Sequence, residues 1–158
     1  PGVKFLVVDV LSAELEQRLP ADWCDAIVCW MTGSHPEHIG TVLGKPFMQF
    51  QGSEMPTYRS KIQGRCYELG IKAMKSEGVV HIVDRGAIRS WADKDQMRLE
   101  LVNAQSIIAG SRYTLSRDDC LLRKLTDGLN HSSIQFLVPV QTDFGGVLIL
   151  TSAKAHLA

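Results

Sequence analysis

Gly78-Val-Val-His-Ile-Val-Asp84 is the stretch on which the reading of this chain turns. Its β-branched run, Val79 to Val83, lies between a glycine and the turn signal Asp84-Arg-Gly86, which predicts a short strand. Upstream, residues 57–76 place Tyr58, Ile62, Cys66, Leu69, Ala73 and Met74 at helical spacing on one face. Gly64 and Gly70 weaken that pattern, so a kinked helix or two short ones are expected, with Gly78 as the stop. Downstream, residues 91–109 form another helical stretch, with Met97, Leu101, Ala104 and Ile108 in a stripe. Residues 118–129 read as a further helix, capped by Ser116. Two strands close the pattern, residues 133–140 and 147–151, joined by the turn chemistry of Gln141-Thr-Asp-Phe-Gly-Gly146. Pro139 removes a ladder donor and so implies an edge or a bulge there.

The first third is less regular. Residues 25–32 are apolar on both faces and end at Gly33-Ser-His-Pro36, as a buried strand does. Ile39-Gly-Thr-Val-Leu43 reads as its partner strand. Residues 3–10 admit two readings: a short buried strand, or the start of one amphipathic helix through Phe5, Val8, Leu11, Leu15 and Leu19. Either element ends at Pro20. The last residues, Ser152-Ala-Lys-Ala-His-Leu-Ala158, read as the opening turns of a helix. With Pro1 in place of an initiator Met, they suggest a domain cut from a longer protein. Helices between clustered strands predict an α+β fold, one mixed or antiparallel sheet covered by helices. No repeat or second domain is visible.

Composition sets the outer bounds. A chain of 158 residues suits a single domain with a real core. Its 45% hydrophobic and 22% charged content is that of a globular protein rather than a disordered one. Seventeen basic residues balance seventeen acidic ones, with no Lys/Arg block, which argues against nucleic acid or an anionic membrane as a direct partner. No apolar run approaches the roughly 20 residues of a spanning helix, and no signal-peptide pattern opens the chain. Cys24, Cys29, Cys66 and Cys120 are irregularly spaced, with no C-x-x-C, which fits reduced thiols in a cytoplasmic protein and no structural metal.

Three segments together resemble the GAF family of sensory domains: Gly78–Asp84, His131-Ser-Ser-Ile-Gln-Phe-Leu-Val-Pro-Val140 and Gly145-Gly-Val-Leu-Ile-Leu-Thr-Ser152. GAF domains show a strand ending in Asp, a Ser-rich lead into a strand ending Val-Pro-Val, and a Gly-Val-Leu-rich strand completing the hairpin. The order fits from about residue 20 to residue 152. The resemblance implies a GAF-like fold, related to the PAS and profilin-like folds. Its central antiparallel sheet would have about six strands, with helices packed across its faces. It further implies a ligand cavity between sheet and helices, a homodimer through the terminal helices (residues 1–19 among them), and an attached output domain in a signalling protein. Family members bind cyclic nucleotides, haem, tetrapyrroles, small metabolites or nothing, so no cofactor is named by the fold.

Within that frame the candidate ligand-binding residues are His81, Asp84, Trp91, Tyr113, His131, Ser132 and Ser133. His81 and Asp84 would stand at a cavity mouth, and His131 to Ser133 lead into the hairpin strand where the family's cavity lies. Each has a plainer reading: Asp84 as a turn cap, His81 as a solvent-facing strand residue, Trp30 and its like as core. His35 and His38, across Pro36, read as a surface turn rather than a metal site. Cys66 is followed by Tyr67 and Cys120 by Leu121, which disfavours covalent bilin attachment. A ligand-free interaction module is the second expectation. The third is a free methionine sulfoxide reductase, with Cys120 as nucleophile, activated by Arg117 or Arg123, and Cys66 resolving the intermediate. Against it, Cys120 falls in a predicted amphipathic helix, where a thiol is ordinarily buried and inert.

Overall fold

The computed structural model describes residues 7–30, 32, 36–125 and 146–158. Among them four helices and five strands form a mixed α+β layer pair. In chain order these are α1 (Ala13–Arg18), β1 (Cys24–Trp30), α2 (Pro36–Leu43), α3 (Met55–Ala73), β2 (Met74–Ile88), α4 (Lys94–Ala109), β3 (Tyr113–Thr114), β4 (Cys120–Lys124) and β5 (Val147–Leu157). Strand β2 lies at the centre, parallel to β1 on one side and antiparallel to β5 on the other. The far edge of β5 pairs first with β4 and then with β3. Among the described residues the sheet is therefore mixed, where the resemblance implied an antiparallel one. A parallel β1–β2 pair needs a long crossover, and α2 and α3 supply it.

Pairing register sorts the side chains into two faces, because partners opposite one another point the same way. One row runs Cys29, Ile82, Ala153, Cys120 across four strands. All four are buried. Helices α3 and α4 pack on this face, where Tyr67, Val80 and Ile149 are also fully enclosed. Burying each Val or Ile side chain contributes about 1.5–3 kcal/mol. The opposite face carries the row Trp30, Val83, Ser152, Leu121, and both of its ends are exposed.

Several expectations are corrected. Residues 39–43 are not a strand but belong to α2, which begins at Pro36. Proline fits the first turn of a helix, where its missing N–H has no partner to lose, and Thr41 turns its hydroxyl back onto the Glu37 carbonyl (3.0 Å). Residues 118–129 are not a helix as far as they are described. Ser116 caps only a short 3₁₀ turn, Arg117–Asp119, and β4 follows. Residues 152–157 continue β5 instead of starting a helix, with Ala153 and Ala155 inward and Ser152, Lys154 and His156 on the other face. The predicted strand at 133–140 lies outside the described residues, as do His131, Ser132 and Ser133.

Helix α3 is one unbroken helix rather than a kinked or divided one, continuous through Gly64 and Gly70. Gly70 is there for space: a Cβ on it would collide with the Tyr113 hydroxyl and stand 3.0 Å from both Met74 and Val80. The helix ends at Ala73, five residues before Gly78. Gly78 instead serves a bulge, where the pairing of β1 jumps from Cys24 opposite Met74 to Ala26 opposite Val79. A Cβ there would sit 2.7 Å from the Met74 Cβ and 2.9 Å from the Lys75 carbonyl, and Glu77 beside it takes a left-handed φ of 66°. At the other end Leu19 is extended (φ −83°, ψ 118°), the conformation Pro20 imposes on its predecessor. Residues 7–12 are not helical, so the amphipathic helix predicted through Leu19 shrinks to α1.

Candidate functional site

Among the described residues, strand β1 lies at the edge of the sheet. Along its outer side, a cleft of about 540 Å³ opens between the strand, the segment before α1, the start of α2 and one face of α3. Its wall is mainly apolar: Val10, Val28, Trp30 and Ile62. Asp9, Thr32, His38 and Tyr58 bring polar atoms to it, and Cys29 and Cys66 supply two thiols. That composition, apolar with a few convergent polar groups, is the usual one for a small-molecule site. No Lys or Arg lines it among the described residues. A second open hollow, about 630 Å³, lies over Leu11, Val42, Lys61, Arg65, Glu68 and Ile108, with Arg65 held between Glu16 and Glu68.

The polar side of the cleft is a short chain of bonds. His38 Nδ1 and the Tyr58 hydroxyl share a hydrogen bond at 2.7 Å, with the rings edge to face. His38 Nε2 lies 3.2 Å from an Asp9 carboxylate oxygen. Both imidazole nitrogens are thus engaged, and the ring is fixed between the N-terminal segment and α3. Burial pushes the Tyr58 phenol up from its ordinary range, with the Asp9 charge adding to it, so Tyr58 remains protonated.

The thiols behave differently from one another. Cys29 comes from β1 and Cys66 from α3, and both belong to one buried cluster. Both line the same stretch of the cleft, and Thr32 Oγ1 lies 3.6 Å from the Cys29 sulfur. Hydrogen bonding with Cys66 and then Thr32 holds the Cys29 thiol below the ordinary range, although burial opposes it. Cys66 is pushed up, first as the donor to Cys29 and then by its deeper burial. Cys29 is accordingly the sulfur that ionises first. Cys24 is separate, its sulfur directed at the Ala73 carbonyl (3.6 Å), and burial raises it.

Of the residues expected at a ligand site, the four that are described are scattered and none lines this cleft. His81 lies on the sheet face opposite the helices, Nε2 2.7 Å from Ser152 Oγ, and burial lowers its basicity. Asp84 is buried on the helix side. Gln63 donates to one of its oxygens (3.2 Å), its neighbour's backbone N–H donates to the other (2.8 Å), and Arg59 stands 3.7 Å away. Asp84 ends a buried relay in which Tyr67 donates to Gln105 (2.9 Å), Gln105 to Gln63 (3.0 Å), and Gln63 to Asp84. Tyr113 joins that relay by donating to the Tyr67 carbonyl (2.7 Å), and burial raises its phenol to about 12. Buried polar groups so fully partnered hold a core in one arrangement. Trp91 stands at the other end of the sheet in a small hollow of about 150 Å³, with the Lys124 ammonium 5.2 Å from its ring centre.

Cys120 is fully enclosed among Leu101, Ala153 and their neighbours, in a cluster apart from Cys66, and burial raises its thiol to about 11. The partner of Cys66 is Cys29. Sequence reasoning passed over Cys29, Asp9 and His38. The first two carry no motif, and His38 was paired with His35 as a surface turn. A signal for the thiol pair did exist. Cys29 alternates with Ile27 on the inward side of its strand, and Cys66 lies in the same stripe of α3 as Tyr58 and Ile62, so two inward surfaces each present a sulfur.

No protein-family description matches this chain, and neither a curated protein nor a solved structure shows significant similarity to it.

Proposed function

We propose that this chain is a regulatory domain of the kind the GAF resemblance implies, one that takes a small ligand in the cleft along β1 and transmits its occupancy to an attached output domain. The observation that carries this reading is the cleft itself: apolar walls around a fixed Asp9–His38–Tyr58 chain. Among the described residues the Asp9 carboxylate has no Lys or Arg beside it in the cleft, which favours a neutral or cationic molecule with a hydrogen-bonding head over an anion. Binding would favour the arrangement in which the N-terminal segment is latched to α2 and α3, a population shift by differential affinity.

The test is native mass spectrometry of the purified chain with three probes: indole, tryptamine and cyclic guanosine monophosphate. Indole and tryptamine are expected to add their mass, the cyclic nucleotide is not, and Ile62→Trp, which fills the cleft, is expected to abolish both additions. Binding of the anion alone, or binding untouched by Ile62→Trp, overturns the assignment of this cleft.

A ligand-free interaction module is supported by exposed apolar side chains, two of which, Val28 and Trp30, also wall the cleft. Val28, Trp30 and Leu121 expose 55%, 61% and 57% of their surface on the sheet face opposite the helices. The same spectra report subunit count. A dimer that Trp30→Glu and Leu121→Glu dissociate, with no probe bound, favours that module over the sensor.

A further inference from the structure

Two of the four cysteines meet at the wall of an open cleft, and the other two do not. Cys29 and Cys66 are 37 positions apart in the chain but are brought together by the packing of α3 on β1. All four cysteines are free thiols. Neither nitrogen of His38 is available as a base for Cys29, since one is bonded to Tyr58 and the other faces Asp9. What stands beside the Cys29 sulfur is instead the Thr32 hydroxyl at 3.6 Å, with Cys66 in the same cleft wall and the same buried cluster. The cleft admits a molecule far larger than a peroxide.

We propose that Cys29 and Cys66 form a peroxide-reactive dithiol, with a hydroperoxide as the oxidising substrate and a disulfide between β1 and α3 as the product. The Cys29 thiolate attacks the terminal oxygen of the hydroperoxide. Its O–O bond breaks, an S–O bond forms, and the departing alkoxide or hydroxide leaves as alcohol or water after taking a proton. The resulting sulfenic acid is attacked by the Cys66 sulfur. An S–S bond forms, the S–O bond breaks, and the hydroxyl leaves as water with the Cys66 proton. Two thiols lose two electrons and two protons, and the hydroperoxide gains them. An external thiol reverses the change by thiol–disulfide exchange through a mixed disulfide. The pair needs no ligand in the cleft and stands apart from the sensor reading. Because both sulfurs are part of the cleft wall, closing the bond also changes the surface a ligand would meet.

The experiment uses the reduced full chain, treated with hydrogen peroxide, quenched with N-ethylmaleimide, and read by intact mass and by peptide mapping. Expected is the loss of two alkylatable thiols and of two hydrogen masses, with Cys29 and Cys66 joined in one cross-linked peptide, and loss of free Cys29 at least about tenfold faster than of Cys120. In Cys66→Ser, oxidation should stop at a sulfenic acid on residue 29 that dimedone captures. In Cys29→Ser, no fast phase should remain. The wild-type map needs no variant, so a misfolded substitution leaves the test intact. A disulfide through Cys24 or Cys120, oxidation of Cys29 to a sulfinic acid with Cys66 still free, or equal rates at Cys29 and Cys120 would each overturn the proposal.

Discussion

The two faces of the one sheet are built by different means. On the helix side, Cys29, Ile82, Ala153 and Cys120 form a row in which every side chain is buried, and α3 and α4 pack on it. On the other side, Trp30 and Leu121 are exposed at the ends of their row, and part-buried polar contacts join His81 to Ser152 across two strands and His156 of β5 to Asp119 in the turn before β4. Apolar burial is roughly proportional to area and independent of pH, whereas exposed polar contacts contribute little and depend on charge. Among the described residues the helix side is the more continuously buried, although Val83 in the middle of the other row is buried too. The candidate site lies where that face runs out at the edge strand β1, which is where burial and access to solvent meet.

The largest effect should come from emptying the helix side and the contrast from trimming the other. Ile82→Ala is expected to cost about 2–5 kcal/mol of unfolding free energy, since it removes buried methyl groups and leaves a cavity. Trp30→Ala, on the next row of the same two-strand pair, should cost less than about 1 kcal/mol, within the range of exposed positions. Urea denaturation of both variants checks the comparison, and equal losses would break it. A middle-sized effect separates two glycines of one helix. Gly70→Ala should destabilise by about 1–3 kcal/mol because the added methyl overlaps Tyr113, Met74 and Val80. At Gly64 the nearest atom to an added Cβ is an Ile108 methyl at 3.7 Å, so Gly64→Ala should stabilise by about 0.5–1 kcal/mol through helix propensity. The smallest effect belongs to the polar face. The Ser116 hydroxyl and N–H, with His156 beyond them, hold the Asp119 carboxyl below the ordinary carboxylate range. A lowered folded-state pKa contributes stability that is present above about pH 4 and lost as pH falls through the folded value. Ser116→Ala should therefore lower stability slightly at about pH 6 and bring it close to the wild type at about pH 3, read from denaturation midpoints.

How much of this was legible in the sequence depends on which force decided each element. Strand β1, the core of β2, α4 and the start of β5 were readable because period and turn chemistry agreed with the final packing. The failures occurred where local propensity and tertiary pairing disagreed. Leu121, Leu122 and Lys124 favour helix, but the pairing of β4 with β5 turns Cys120 and Leu122 inward, and propensity is the weaker term. Ala153 and Ala155 suggest a helix by composition. Their alternation with Ser152, Lys154 and His156 was the better sign, since small residues on a strand let α4 approach closely. Ile39, Thr41 and Val42 suggested a strand, whereas Pro36 marked a helix start. The cleft was hidden for another reason. Its residues come from four segments that only the parallel crossover brings together, and none of Asp9, Cys29 or His38 carries a local motif.

The claim that matters most is that the edge of β1 holds a reactive thiol while the interior of the same row does not. Its most direct test is alkylation of the native, reduced protein with iodoacetamide near neutral pH, with mass spectrometry following all four cysteines over time. Cys29 should be modified first, with Cys66 and Cys120 lagging by an order of magnitude or more. Modification of Cys120 as fast as Cys29, or a Cys29 that stays inert while Cys24 reacts, would contradict the placement of the functional site at this cleft.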